Sequence, residues 1–222
     1  MTYVMSDLHG CYDKYAQMLE KISFGEGDTL YILGDVIDRG EDGIKILLDM
    51  TGRKNVIPLK GNHEEMALSV LNAIRRSSPY ENTRSHILWM LNDGAPTKEA
   101  FLRLSQTEKE AVFDYVFSFG LRLEITVNGR KFHLSHTLPE YDPCLPLSET
   151  PAREFLWGEP DYETAYAPDM LFVTGHTPTH VIDPAYKWRI WQGCGHIAID
   201  CAAAFGGRLG CLCLETMEKY NI

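Results

Sequence analysis

With 222 residues, 45% of them hydrophobic, the chain is long enough to bury a substantial core without disulfide or metal staples. A formal net charge of −10 argues against a nucleic-acid backbone as the main partner, because such binders carry a basic footprint. Six cysteines without a Cys-x-x-Cys spacing suit buried thiols in a reducing compartment, and no apolar run approaches the ~20 residues of a membrane span. Met1 runs straight into a strand and a polar motif, leaving no room for a cleavable signal, so a cytoplasmic protein that binds no membrane is expected.

The first third repeats one rhythm. Thr2–Ser6 reads as a strand, SDLHG at 6–10 as a loop, and Tyr12–Ile22 as a helix with Tyr15, Met18, Leu19 and Ile22 on one face. Thr29–Leu33, GDVIDRG at 34–40 and Asp42–Met50 follow the same plan, as do Asn55–Leu59, GNHEE at 61–65 and Glu65–Arg75. Such alternation predicts a parallel sheet with right-handed crossovers, and function beyond the carboxyl ends of its strands. Residues 77–119 read as a mostly helical insertion with segments Thr83–Asn92, Thr97–Leu104 and Thr107–Phe117, the last opened by a Thr107–Glu110 capping box. Leu121–Val127 and Arg130–Ser135 form a hairpin around Asn128-Gly129, a favoured type I′ pair. Thr150 and Pro151 start a short helix, and Met170–Thr174, Trp188–Gln192, Ile197–Cys201 and Arg208–Glu215 read as further strands. The expected fold is α/β: two stacked mixed sheets flanked by helices, in one domain spanning 1–222.

The three loops supply Asp7, His9, Asp35, Asp38, Arg39, Asn62 and His63, each group just after an apolar run. Carboxylate, imidazole and amide donors converging at strand ends suit two divalent metals. Asp35, centrally placed after Gly34, can bridge two cations, and Arg39 suits a phosphate. His136 and His176 also end strands. Along 131–136, Phe132, Leu134 and His136 share one face, so His136 is the better donor and His133 a packed or surface histidine. His180 and His196 lack that setting and read as structural. The residues point to a dinuclear metallophosphoesterase.

SDLHG, GDVIDRG, GNHEE, His136 in LSHT, GHTP at 175–178 and the closing IDCAAAFGGRLGCLCLE segment together resemble the phosphoprotein phosphatase family of calcineurin-like metallophosphoesterases. The likeness is to its short bacterial and bacteriophage serine/threonine phosphatase branch, which also includes symmetrical dinucleoside tetraphosphatases. The resemblance implies that Asp7, His9 and Asp35 hold one metal and that Asp35, Asn62, His136 and His176 hold the other. Manganese is the first expectation, with iron or zinc admissible. It further implies His63 as general acid, Asp38 as its partner, Arg39 and Asn62 at the substrate phosphate, and in-line attack by a metal-activated hydroxide. A second phosphate-binding arginine, usual shortly after a tryptophan in that branch, is missing from Phe155–Pro160; Arg153 is the candidate substitute.

The main functional expectation is a phosphomonoesterase acting on phosphorylated protein or a small phosphoester. The alternative is a symmetrical diadenosine tetraphosphatase-like hydrolase, with Tyr80, Trp89, Tyr162 and Tyr166 as possible adenine partners. A third possibility, of another class, is an inactive module that only binds phosphate or phosphoprotein. The sequence does not specify the oligomeric state.

Overall fold

A computed structural model describes residues 1–222. Strand β1 (Thr2–Met5), helix α1 (Tyr12–Lys21), β2 (Thr29–Leu33), α2 (Gly43–Thr51), β3 (Val56–Leu59) and α3 (Asn62–Arg75) form the expected strand–helix repeat. Helices α4 (Arg84–Leu91), α5 (Ala95–Arg103) and α6 (Gln106–Phe117) follow, then the β4 (Arg122–Val127) and β5 (Arg130–Ser135) hairpin. The remainder comprises α7 (Glu154–Trp157), β6 (Met170–Thr174), α8 (Thr179–Ile182), β7 (Trp191–Gly193), β8 (His196–Ala198), β9 (Gly210–Cys213) and β10 (Lys219–Asn221). No helix is long and apolar enough to cross a membrane.

These strands make two five-stranded mixed sheets, ordered β10-β9-β1-β2-β3 and β4-β5-β6-β8-β7. In the first, β1, β2 and β3 are parallel, and β9 joins β1 antiparallel. In the second, β5, β6 and β8 are parallel between antiparallel edges. The period-two alternation of strand side chains decides what each face buries. Val4, Leu33 and Leu59 of the first sheet meet Phe132, Leu134, Val173 and Ile197 of the second in one apolar layer. On the other face of the first sheet, Tyr3, Met5, Leu30 and Ile32 pack against α1, α2 and α3 through Met18, Leu47 and Val70. Each such buried aliphatic side chain contributes about 1.5–3 kcal/mol.

Several local expectations are corrected. The capping box of α6 is Ser105–Glu108: Glu108 N–H donates to Ser105 Oγ at 3.3 Å and Ser105 N–H to Glu108 Oε2 at 2.8 Å. The helix therefore starts earlier, and Glu110 pairs instead with Arg75 and with Gln106 at 2.7 Å. The strand expected from Trp188 begins only at Trp191, because Trp188 has a left-handed φ of 62° that breaks extended backbone. The helix expected from Thr150 is reduced to the single turn of α7. The strand expected over Arg208–Glu215 is shortened to β9, and an edge strand that was not expected, β10, pairs with it antiparallel.

Candidate metal centre

The loops after β1 and β2 are zipped together by backbone hydrogen bonds. Asp7 N–H donates to Gly34 O at 3.2 Å, His9 N–H to Asp35 O at 2.9 Å, and Gly40 N–H to His9 O at 3.1 Å. This meshing forces Asp7, His9, Asp35, Asp38 and Arg39 into left-handed φ values between 40° and 72°, and His176 shares the conformation at 65°. Non-glycine residues avoid that region, and their concentration here marks strain held by the surrounding fold. Gly34, at φ 85°, must be glycine, since a Cβ would strike the backbone of Gly61.

Glu64 braces the second loop from below. Its carboxylate accepts N–H groups of Asp35, Val36 and Gly61, each at 2.9 Å, and of Ile37 at 3.3 Å. Burial and the neighbouring Asp35 nonetheless push its carboxyl up to about 7. Helix α3 opens beside it, so Asn62 and His63 project from the first turn, and His63 N–H donates to Asp35 Oδ1 at 3.1 Å. That bond leaves Asp35 Oδ2 to face the imidazoles, 3.4 Å from His9 Nε2 and 3.5 Å from His136 Nε2. Burial would raise the Asp35 carboxyl, but His136 and the other imidazoles outweigh it and hold it low.

Backbone carbonyls set the tautomers of two of these rings. His9 Nδ1–H donates to Ile37 O at 2.9 Å and His136 Nδ1–H to Leu33 O at 2.8 Å, so each Nε2 presents a lone pair. Burial pulls both rings below their ordinary value, His9 to about 3. His136 Nε2 lies 2.9 Å from Asn62 Oδ1 and 3.0 Å from His176 Nδ1. Asp7 spends Oδ2 on Ser6 Oγ–H at 2.5 Å and His176 N–H at 3.0 Å, leaving Oδ1 3.8 Å from His9 Nε2.

This donor set fits two cations. His9, Asp35 and His63 form one group whose ligating atoms lie within 4.8 Å of one another; Asp35, His136 and His176 form a second, with Asp35 common to both. The Asn62 oxygen faces only acceptors, an orientation that repels unless positive charge lies between; without it the amide would turn its NH2 inward. Nitrogen and oxygen donors of this kind suit divalent transition metals.

Beside them, His63 Nδ1–H donates to Asp38 Oδ2 at 2.7 Å. Burial works against a charged His63, but Asp35 and Asp38 together raise it above its ordinary value. Arg39 reaches between the rings, contacting His9 Nε2 and lying 3.4 Å from His63 Nε2.

A family model for calcineurin-like phosphoesterases matches residues 2–196. The chain belongs to this family. Its cluster of histidine, aspartate and asparagine donors is of the kind that could hold metal ions, in keeping with that family. A symmetrical bis(5′-nucleosyl)-tetraphosphatase of Haemophilus ducreyi is 39% identical over 80 residues, 35% of this chain and 30% of that protein. Its counterpart in Delftia acidovorans is 37% identical over 78 residues, 34% of this chain and 28% of that protein. The chain thus matches less than a third of these relatives' length. Among solved structures, a putative diadenosine tetraphosphatase superposes with a TM-score of 0.64 at 16% identity, covering 100% of this chain and 92% of the other. A serine/threonine phosphatase of Saccharomyces cerevisiae gives 0.62 at 14% identity, covering 100% and 79%. At these identities the two superpositions speak for the fold alone.

The structure brings Asp7, His9, Asp35, Asp38, Arg39, Asn62, His63, His136 and His176 of this phosphoesterase into one cluster. Arg153 stays outside it, exposed on the turn before α7; its carbonyl accepts Leu156 N–H and Trp157 N–H at 3.0 Å, and its side chain forms no hydrogen bond or ion pair. His133 is buried and stacks between Phe155 and Phe172, and His196 is buried against Thr174 and Tyr162, so both are packed histidines. Of the possible adenine partners, Trp89 is corrected: it is fully buried, and its Nε1–H donates to Asp38 Oδ2 at 2.8 Å. The sequence reading missed that role, as it missed Thr97, whose Oγ1 accepts Asp38 N–H at 2.8 Å. Both lie in helices without a recognisable motif. Asp200 is a further unforeseen acid, buried just past the end of β8, its Oδ1 accepting Ala202 N–H at 2.8 Å. Burial pushes it up to about 6. The Asp in the closing segment was its only signal.

Proposed function

We propose that this phosphoesterase hydrolyses dinucleoside tetraphosphates symmetrically, releasing two nucleoside diphosphates. The observation that carries the chemistry is Asp35 shared between His9, with Asp7 Oδ1 3.8 Å from that ring, and the His136–His176 pair, while His63 is held by Asp38 and flanked by Arg39. The relatives named for that substrate, similar over 80 residues, favour it over other phosphoesters.

In this reading Asp7, His9 and Asp35 would hold one divalent ion, and Asp35, Asn62, His136 and His176 the other. Bound there, the ions would supply Lewis acidity to a phosphoryl oxygen and a water acidified toward neutral pH. Arg39 grips the substrate's phosphate oxygens as a planar fork, which a lysine could not imitate. His63, kept protonated by Asp38 and Asp35, delivers a proton from Nε2 to the departing phosphate oxygen. Asp38 holds the ring through Nδ1, so Nε2 points into the cleft.

The serine/threonine phosphatase reading ranks second. Arg153, its candidate second phosphate contact, lies exposed, and the yeast phosphatase shares the fold only. The deciding assay uses metal-stripped protein with manganese restored and diadenosine tetraphosphate as substrate. ADP as sole product supports the proposal. Turnover of a phosphopeptide with the dinucleotide untouched would transfer it to the phosphatase reading. Silence on both, with two ions bound, would leave the phosphate-binding module.

A further inference from the structure

Phe205 is 62% exposed, and its ring lies 4.7 Å from the guanidinium carbon of Arg39. Exposure alone is ordinary for one apolar side chain; its neighbour is what sets this ring apart. It stands beside the arginine assigned above to the substrate phosphates.

The backbone that carries the ring is held firmly. It ends a single 3-10 turn, Ala203–Phe205, bracketed by left-handed Ala202 and Gly206. Phe205 N–H and Gly207 N–H both donate to Ala202 O at 3.0 Å. Lys14 Nζ, from α1, donates to Ala203 O and Gly207 O, each at 2.7 Å, and so clamps both ends of the turn. With the backbone fixed in this way, only the side-chain torsions of Phe205 are left to be ordered when a ligand settles on the ring.

The other aromatic candidates for adenine are already engaged. Trp89 is bound to Asp38, Tyr166 O–H donates to Pro139 O at 2.6 Å, Tyr162 stacks on His196 at 4.9 Å, and Tyr80 packs edge-on against His86 at 5.4 Å.

Resting on the dinucleotide reading above, we propose that Phe205 is the stacking platform for a substrate nucleobase whose phosphate chain is gripped by Arg39. Aromatic stacking accepts any base, since every base has a π-face, so adenine and guanine nucleotides should bind alike.

The test compares ADP, the product, with inorganic pyrophosphate, which has the phosphates without the base. Calorimetry on manganese-loaded protein measures both affinities in wild type, Phe205→Leu and Phe205→Trp. The ratio of ADP to pyrophosphate affinity should fall about tenfold in the leucine variant and recover in the tryptophan variant. An unchanged ratio, equal losses for both ligands, or a wild type that prefers pyrophosphate would each overturn the proposal. Equal losses would mean that Phe205 merely props Arg39. Wild-type hydrolysis of diadenosine tetraphosphate, run in parallel, separates the two ideas. A fallen ratio without hydrolysis sinks the substrate reading and keeps the platform; hydrolysis with an unchanged ratio does the reverse.

Discussion

Trp89 and His63 donate to the same atom. The indole N–H reaches Asp38 Oδ2 at 2.8 Å and the imidazole Nδ1–H reaches it at 2.7 Å. The helical segment without a motif thus sets the orientation of the proposed general acid. Gly94 makes room for this arrangement, because a Cβ there would meet the Trp89 indole. Trp89→Phe removes the donor and leaves a small void in place of the rest of the indole. Turnover should fall about tenfold and stability by about 1–3 kcal/mol, with bound metal unchanged, as read by steady-state rates and denaturant melts.

His63→Asn removes the proposed proton source. Turnover should drop at least about a hundredfold, the usual weight of general acid catalysis, while metal content stays at the wild-type level. Unaltered turnover would remove His63 from the mechanism.

Asp35→Asn tests the shared carboxylate. Since Oδ2 faces both groups of donors, the variant should weaken both ions together in metal analysis after dialysis. Retention of one ion at full affinity would contradict the shared role.

Glu64→Ala would orphan four buried backbone N–H groups, those of Asp35, Val36, Ile37 and Gly61. An orphaned donor costs about 1–3 kcal/mol, so the melting transition should drop sharply even before any effect on catalysis. A stable variant would show that water can replace the carboxylate.

Two packed histidines in the second sheet should make the fold acid-sensitive. Burial lowers His133 to about 4 and His196 to about 3, so both stay neutral in the native state. Below about 6.5 the unfolded chain binds protons that the native chain refuses, so stability rises with pH in this window. Their contribution is complete above about pH 6.5 and is lost as pH falls toward the native values. Denaturant midpoints at about pH 7 and about pH 5 measure the slope. His133→Phe should flatten it, because neither ring nitrogen of His133 has a hydrogen-bond partner and the ring already stacks between two phenylalanines.

The sequence alone determined the three strand–loop–helix repeats, the hairpin at Asn128-Gly129 and the polar groups at strand ends. Each is written in a few consecutive residues, through periodicity of three to four or two and through turn chemistry. The preference for His136 over His133 was legible for the same reason, since strand alternation is local. What met Asp35 across space was decided only by tertiary packing. His136 Nδ1 bonds Leu33 O across 103 positions, so the ring's tautomer depends on how the second sheet stacks on the first. Trp89 finds Asp38 across 51 positions, and Phe205 comes from the far end of the chain to lie against Arg39. No short-range pattern encodes these pairings, because they are set by the apolar layer between the sheets and by the helices packed outside it. The left-handed backbone at Asp7, His9, Asp35, Asp38, Arg39 and His176 was equally hidden. Such strain is tolerated only when the meshed loops around it leave the chain no alternative.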